Sequence, residues 1–416
     1  MNAQWMEVIG KPEPGRSSFL ADLAWNICRR RNLPIGCYNL YVSRKRSARD
    51  TLAFIARGAK SFIYYSYGPR TLGAADNFSE RDASILAVAE ATGPIVAAEE
   101  YLHTTTRPPR EVCMVYSVTA EILDEDSTVV RDRVFAYLAL NHDQIPVDII
   151  SEKNVLEGRL SDYRVAYLNG EHLRRDVAEK IRDWVNAGGH VWADAGAATR
   201  DEADDRMDVL DTVFGGRQRA VLRKYPLSVG YYVAKTPDAE MGEVTWKDGP
   251  WGEGFSTPSI LKRSVLELAE GKVVARFDDG SPAAVTHTFG KGKSMLLCYS
   301  AGFTYSRFYR TDKREQRYDE TDRKVVSQFA LDAGVRRPVR VSRPGVEATL
   351  LKSKKGLALS LLDQFETAPE VTIEFDLVKP PTSVRSVKNG ELRFRHEDGK
   401  LSFDVKIENL DVVLVD

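Results

Sequence analysis

Net charge is what this sequence of 416 residues lacks: 59 lysines and arginines meet 60 acidic residues, so no overall field draws the chain to nucleic acid or anionic lipid. Cysteine is scarce as well. Cys28, Cys37, Cys113 and Cys298 form no CxxC pair and show no dense spacing, which argues against a disulfide scaffold and against a zinc ribbon. The six histidines are scattered, with no HxH or HExxH spacing, so no metal site is expected, and nothing calls for a cofactor. No run of 18 apolar residues occurs, which excludes a membrane-spanning helix. Residues 1–10 lack the basic start and apolar core of a signal peptide, which favours the cytoplasm without fixing the compartment. A neutral partner fits this balance best.

What is present is an ordinary globular composition, 43% hydrophobic and 29% charged, in a chain long enough for two to four domains. The first hundred residues alternate short apolar strands (4–9, 35–42, 61–67) with helices (17–31, 47–57, and one opened by Ser79, with Asp82 in the capping-box position, toward Thr92). Repeated βα units imply a parallel sheet. A proline-rich break at 104–110 then separates a second α/β pattern, in which a helix over 173–187 stops at Gly188-Gly189 and a strand follows at once. From about residue 220 the signals turn to hairpins, and 346–416 alternates at period two between turns at 354–356, 389–390 and 398–399. The fold class expected is α/β: an incomplete (β/α) barrel segment over 1–107, a flavodoxin-like, class I amidotransferase-like doubly wound domain over 108–338, and a small antiparallel β-sandwich over 339–416.

Three places could carry chemistry. Gly292-Lys293-Ser294 imitates the end of a phosphate-binding loop, but His287 stands where that loop needs a glycine, and the residues that follow read as a strand. A tight hairpin turn is the better reading. In the second domain, Glu171 and His172 lie at the C-terminal end of a strand, where α/β sites collect, with no serine or cysteine beside them to act as nucleophile. In the first domain, strand ends carry Glu7, Asn39, Tyr41, Tyr65 and Tyr67, with Trp5 close by. A carboxylate among aromatic rings suits a sugar, whose CH faces pack on Tyr or Trp. Glu7 is therefore the candidate catalytic residue, and Trp5, Asn39, Tyr41, Tyr65 and Tyr67 are the candidate substrate-binding residues.

These features combine into a resemblance. Segment 56–65 (ARGAKSFIYY) resembles the last strand of the catalytic barrel in family 42 glycoside hydrolases, the β-galactosidases. Residues 111–335, with DWVNAGGHV at 183–191, GSPAAV at 280–285 and FGKG at 289–292, look like the trimerisation domain of that family. The end of the chain, LDVVLV at 410–415, is similar to its small C-terminal domain. The resemblance implies a carbohydrate partner, a homo-oligomer (a trimer) and no nucleic acid or membrane partner. It also implies an acid/base glutamate after the fourth barrel strand and a nucleophilic glutamate after the seventh. If 61–67 is the eighth strand, 35–42 is the seventh, and no Asp or Glu lies between Asn32 and Arg49, so that position is empty. The fourth strand would then precede Met1. A different register makes Glu7 the nucleophile and 35–42 an insertion. Since glycoside hydrolysis needs two carboxylates about 5 to 9.5 Å apart, either register leaves the pair incomplete and the chain weak or inactive by itself. A non-catalytic oligomerisation or carbohydrate-binding module is the alternative, and an amidotransferase-like hydrolase would need a nucleophile in the second domain.

Overall fold

The computed structural model describes residues 4–8, 15–31, 35–40, 44–65, 82–123, 128–224, 240–247, 254–307, 318–365 and 367–416. They divide into two compact units, Met1–Pro109 with Arg337–Asp416, and Arg110–Arg336.

The first unit begins with three parallel strands in the order β1 (Gln4–Val8), β2 (Ile35–Leu40) and β3 (Ala59–Tyr65). Helix Arg16–Arg31 presents Ala21, Ala24 and Cys28, spaced at three and four residues, to a cluster that includes Ile35, Cys37, Phe54 and Ala59. The next helix, Arg44–Ile55, gives Phe54 to that same cluster and Ala48 and Leu52 to another. Helix Asp82–Ala97 runs on through Gly93-Pro94, and the Ala98 N–H reaches back to the Pro94 carbonyl at 3.2 Å in the turn that follows.

The second unit is built on a sheet of nine strands. Its parallel part comprises β4 (Val112–Tyr116), β5 (Val147–Ser151), β6 (Val165–Leu168) and β7 (His190–Ala193). Outside the large sheet lies β8 (Gly216–Arg223). The later strands are β9 (Glu240–Trp246), β10 (Phe255–Ile260), β11 (Lys262–Leu268), β12 (Lys272–Phe277), β13 (Pro282–Phe289) and β14 (Gly292–Leu297). The order is β10-β9-β12-β13-β14-β7-β6-β4-β5, with β14 parallel to β7 and the pairs beyond β14 antiparallel; β8 and β11 form a separate antiparallel pair. β6 is buried at every residue, as a strand covered on both faces must be. Gly188 closes helix Arg175–Ala187 at φ 125°, a conformation that side chains resist. Gly292 opens a strand and not a helix: Lys293 pairs with His190 and Ser294 with Val191, while the Ser294 hydroxyl donates to the Val213 carbonyl at 2.7 Å.

The chain then returns to the first unit as two antiparallel sheets. One has the order Arg340–Val341, Glu370–Asp376, Lys400–Lys406, Phe394–Glu397; the other has Val346–Lys352, Leu357–Asp363, Leu410–Val415, Val384–Ser386, Gly390–Glu391. Ile373, Phe375, Leu401 and Phe403 of the first meet Leu359, Leu361, Val413 and Val415 of the second in a common core. Leu410–Val415 is buried along its whole length, although a sandwich strand is expected to alternate. Its other face supports Leu410, Val412 and Leu414 against Leu52, Ala98 and Leu102, so helices cover the side that water would otherwise wet.

Candidate functional site

In the first unit the backbone register places Glu7 beside Tyr38 and Val8 beside Asn39, and on β3 it places Ile63 beside Tyr38 and Tyr65 beside Leu40. Glu7 and Asn39 thus occupy alternate rows. Neighbours in register share a sheet face and successive residues switch faces. Cys37 and Phe62 pack into the helices, while Ile63, the next residue on β3, is 42% exposed. The side chains of Trp5, Glu7, Asn39 and Tyr65 lie outside what the structure describes, as do Tyr41 and Tyr67 altogether. Cys37, on the helix side, is no nucleophile: burial first and Asp50 second push its thiol well above the usual range.

In the second unit the strand ends converge on a polar cluster. Asn169, after β6, donates to Asp194, after β7, at 2.6 Å. Asp194 is fully buried, and burial first, then the charge and hydrogen bond of Asp132, hold its carboxyl far above the usual carboxylate range, against the pull of Lys262 and Asn169. Asp132 in turn accepts the Phe303 backbone N–H at 2.9 Å. Glu171 is paired with Arg223 and has the Lys262 ammonium at 3.9 Å. His172 directs its Nε2 to Asp204 at 2.8 Å, while its carbonyl accepts from Ser117 Oγ at 3.0 Å. Ser117 also donates to Glu152 at 3.0 Å.

This arrangement lacks the parts of an acyl-transfer site. Ser117 faces a carboxylate and a carbonyl, not an imidazole. Cys113 is fully buried with its thiol raised by burial, and Cys298 is pushed up to about 12 by the same cause. Gly170, just after β6, leaves no room for a side chain: a Cβ there would sit 2.9 Å from Val129 and 3.1 Å from Ala120. Among the described residues no three His, Cys, Asp or Glu side chains are grouped to hold a metal ion. Of the two residues singled out from sequence, Glu171 and His172 are neighbours in space with separate partners. Asp132, Asn169 and Asp194 carry no motif and were invisible.

A groove of about 640 Å³ opens elsewhere in this unit, lined among others by His190, Thr286, Thr288, Lys293 and Phe329. His190 has its imidazolium disfavoured by burial, then by Lys293 and Arg164, and its ring meets that of Phe329 edge-on at 6.3 Å.

No family model and no curated relative matches the sequence. Its fold does match solved structures. A β-galactosidase from Bacillus circulans sp. alkalophilus superposes with a TM-score of 0.70 at 16% identity, over 100% of this chain and 60% of that one. The α-L-fucosidase isoenzyme 2 of Paenibacillus thiaminolyticus gives 0.68 at 15% identity, over 100% and 65%. A catalytic mutant of a GH42 β-galactosidase from G. stearothermophilus gives 0.62 at 15% identity, over 96% and 56%. The chain therefore shares the fold of part of the GH42 β-galactosidases, and it spans about 60% of the length of the first of these structures.

Proposed function

We propose that this chain is a glycoside hydrolase-related, β-galactosidase-like protein that acts on or binds carbohydrate. Its three parts are an incomplete (β/α) barrel segment (1–107), an amidotransferase-like trimerisation domain (108–338) and a C-terminal β-sandwich (339–416). The observation that carries the reading is the likeness in fold over the whole chain to carbohydrate-active enzymes. Because one fold hosts several activities, as the fucosidase among the neighbours illustrates, the sugar is assigned by analogy. Glu7 is the candidate carboxylate and Trp5, Asn39, Tyr41, Tyr65 and Tyr67 are the candidate sugar contacts. With one such carboxylate the chain is a weak or inactive catalyst by itself. Hydrolysis of an aryl β-galactoside by the purified 416-residue chain tests this. Turnover at background level agrees with it, and robust turnover abolished by Glu7→Gln overturns the inactivity while keeping the site.

The alternative is a non-catalytic module, oligomeric and carbohydrate-binding. The groove beside His190 favours it, since its threonine hydroxyls, imidazole and phenyl ring are groups that a sugar recruits. It predicts calorimetric binding of galactosides and a stable trimer in light scattering, with no turnover.

A further inference from the structure

After β7 the chain wraps back over β8 and encloses a second, smaller cavity of about 340 Å³. Four arginines line it, Arg200, Arg206, Arg219 and Arg223, and among the described residues Glu171 is the one carboxylate in its walls. The frame is rigid. Gln218 accepts the Gly196 N–H at 2.8 Å, Thr199 Oγ donates to the Gly196 carbonyl at 2.9 Å, and a Cβ on Gly196 would come within 2.7 Å of the Glu171 side chain.

The arginines are incompletely neutralised. Arg223 is committed to Glu171 on the inner wall. Arg200 and Arg219 meet Asp204 and Glu267, both more than half exposed, and ion pairs at that exposure are weak and exchange readily for a better anion. Arg206 donates to the Gln218 carbonyl at 2.8 Å and forms no ion pair among the described residues. The cavity lies on the side of the sheet where the strands end, the ligand side of an open α/β fold. Planar guanidinium forks match the paired oxygens of carboxylate, phosphate and sulfate.

We propose that this cavity binds a small molecule through an oxyanion group, with Arg206 as its principal grip and Arg200, Arg219 and Arg223 around it. The site is separate from Glu7 and does not depend on glycosidase activity.

Calorimetric titration of the full chain at low ionic strength with inorganic phosphate, inorganic sulfate and galacturonate tests this, with galactose as the neutral control. Saturable binding of at least one oxyanion to one site is expected, weakened about tenfold or more by Arg206→Ala, restored in part by Arg206→Lys, and steeply reduced by added salt. The titrant that binds tells phosphate, sulfate and carboxylate apart. Arg206 is exposed, so its variants should keep the wild-type circular dichroism and melting temperature. The proposal is overturned if no oxyanion saturates at millimolar concentration, if galactose binds equally well and is weakened equally by Arg206→Ala, or if Arg206→Ala and Arg219→Ala both leave the affinity unchanged.

Discussion

Arg57 holds two buried carboxylates at once: its Nε lies 3.0 Å from Asp22 and its Nη2 lies 2.5 Å from Glu347, which is 290 positions away in the chain. Ser18 donates to Glu347 at 2.8 Å and Arg107 reaches Asp22 at 2.9 Å, so the network joins helix Arg16–Arg31, the end of helix Arg44–Ile55 and strand Val346–Lys352. Removing one partner of a buried pair leaves an uncompensated charge, whereas removing all of them together costs far less. Arg57→Ala should destabilise the first unit by about 3 to 5 kcal/mol in urea unfolding, and Arg57→Met with Arg107→Met, Asp22→Leu and Glu347→Leu should recover most of the loss. Equal losses in both variants would show that packing, not charge, dominates there.

Asp194 gives the second unit an alkaline weakness. Its folded carboxyl keeps a proton that the unfolded chain releases above about pH 4, so stability falls as pH rises from there, by up to about 1.4 kcal/mol per unit until the folded group ionises. Asp194→Asn retains a polar partner for Asp132 and cannot ionise. Its urea midpoint should vary less between about pH 5 and about pH 8 than that of the wild type.

His142 acts in the opposite direction. Burial, and Arg323 after it, lower its pKa to about 3, and its Nδ1 is 2.5 Å from the Tyr305 hydroxyl. The folded ring stays neutral while the unfolded one charges near 6.5, so its contribution is complete above that pH and is lost as pH falls toward 3. His142→Gln should flatten the acid side of the stability profile, measured as melting temperature against pH.

Gly292 separates a hairpin from a phosphate loop. A Cβ there would lie 2.1 Å from the Gly189 carbonyl oxygen and 2.3 Å from that of Val185, both backbone atoms with little room to move. Gly292→Ala should cost about 1 to 3 kcal/mol in the second unit, as overpacking does. Any shift of the melting temperature by ATP or GTP should be the same in both proteins, because it does not arise at Gly292.

Local features were the legible ones. Helix Arg175–Ala187, its glycine stop and β7 follow from a periodicity and a left-handed residue that act within a few positions. The parallel order of β1, β2 and β3 likewise follows from the alternation of strand and helix. Arg57 and Glu347 give no such signal, because their pairing depends on how distant segments pack. Asp132 and Asp194 read as ordinary acidic residues until burial joins them. The arginine cavity left a faint trace: Arg219 and Arg223 stand four positions apart on one strand, while Arg200 and Arg206 come from a loop whose path no period encodes. The likeness to family 42 glycoside hydrolases was legible from short segments such as DWVNAGGHV, and its counterpart is the likeness in fold.

The first unit is assembled from both ends of the sequence around an inserted second one, and this sets an order of events during synthesis. On the ribosome, Arg110–Arg336 emerges complete while Leu52 and Ala98 still wait for Leu410, Val412 and Leu414 to be translated. Helix Arg44–Ile55 therefore spends that interval with the side that carries Ala48 and Leu52 unsheltered, and a nascent chain stalled before Val346 would be a natural client for chaperones.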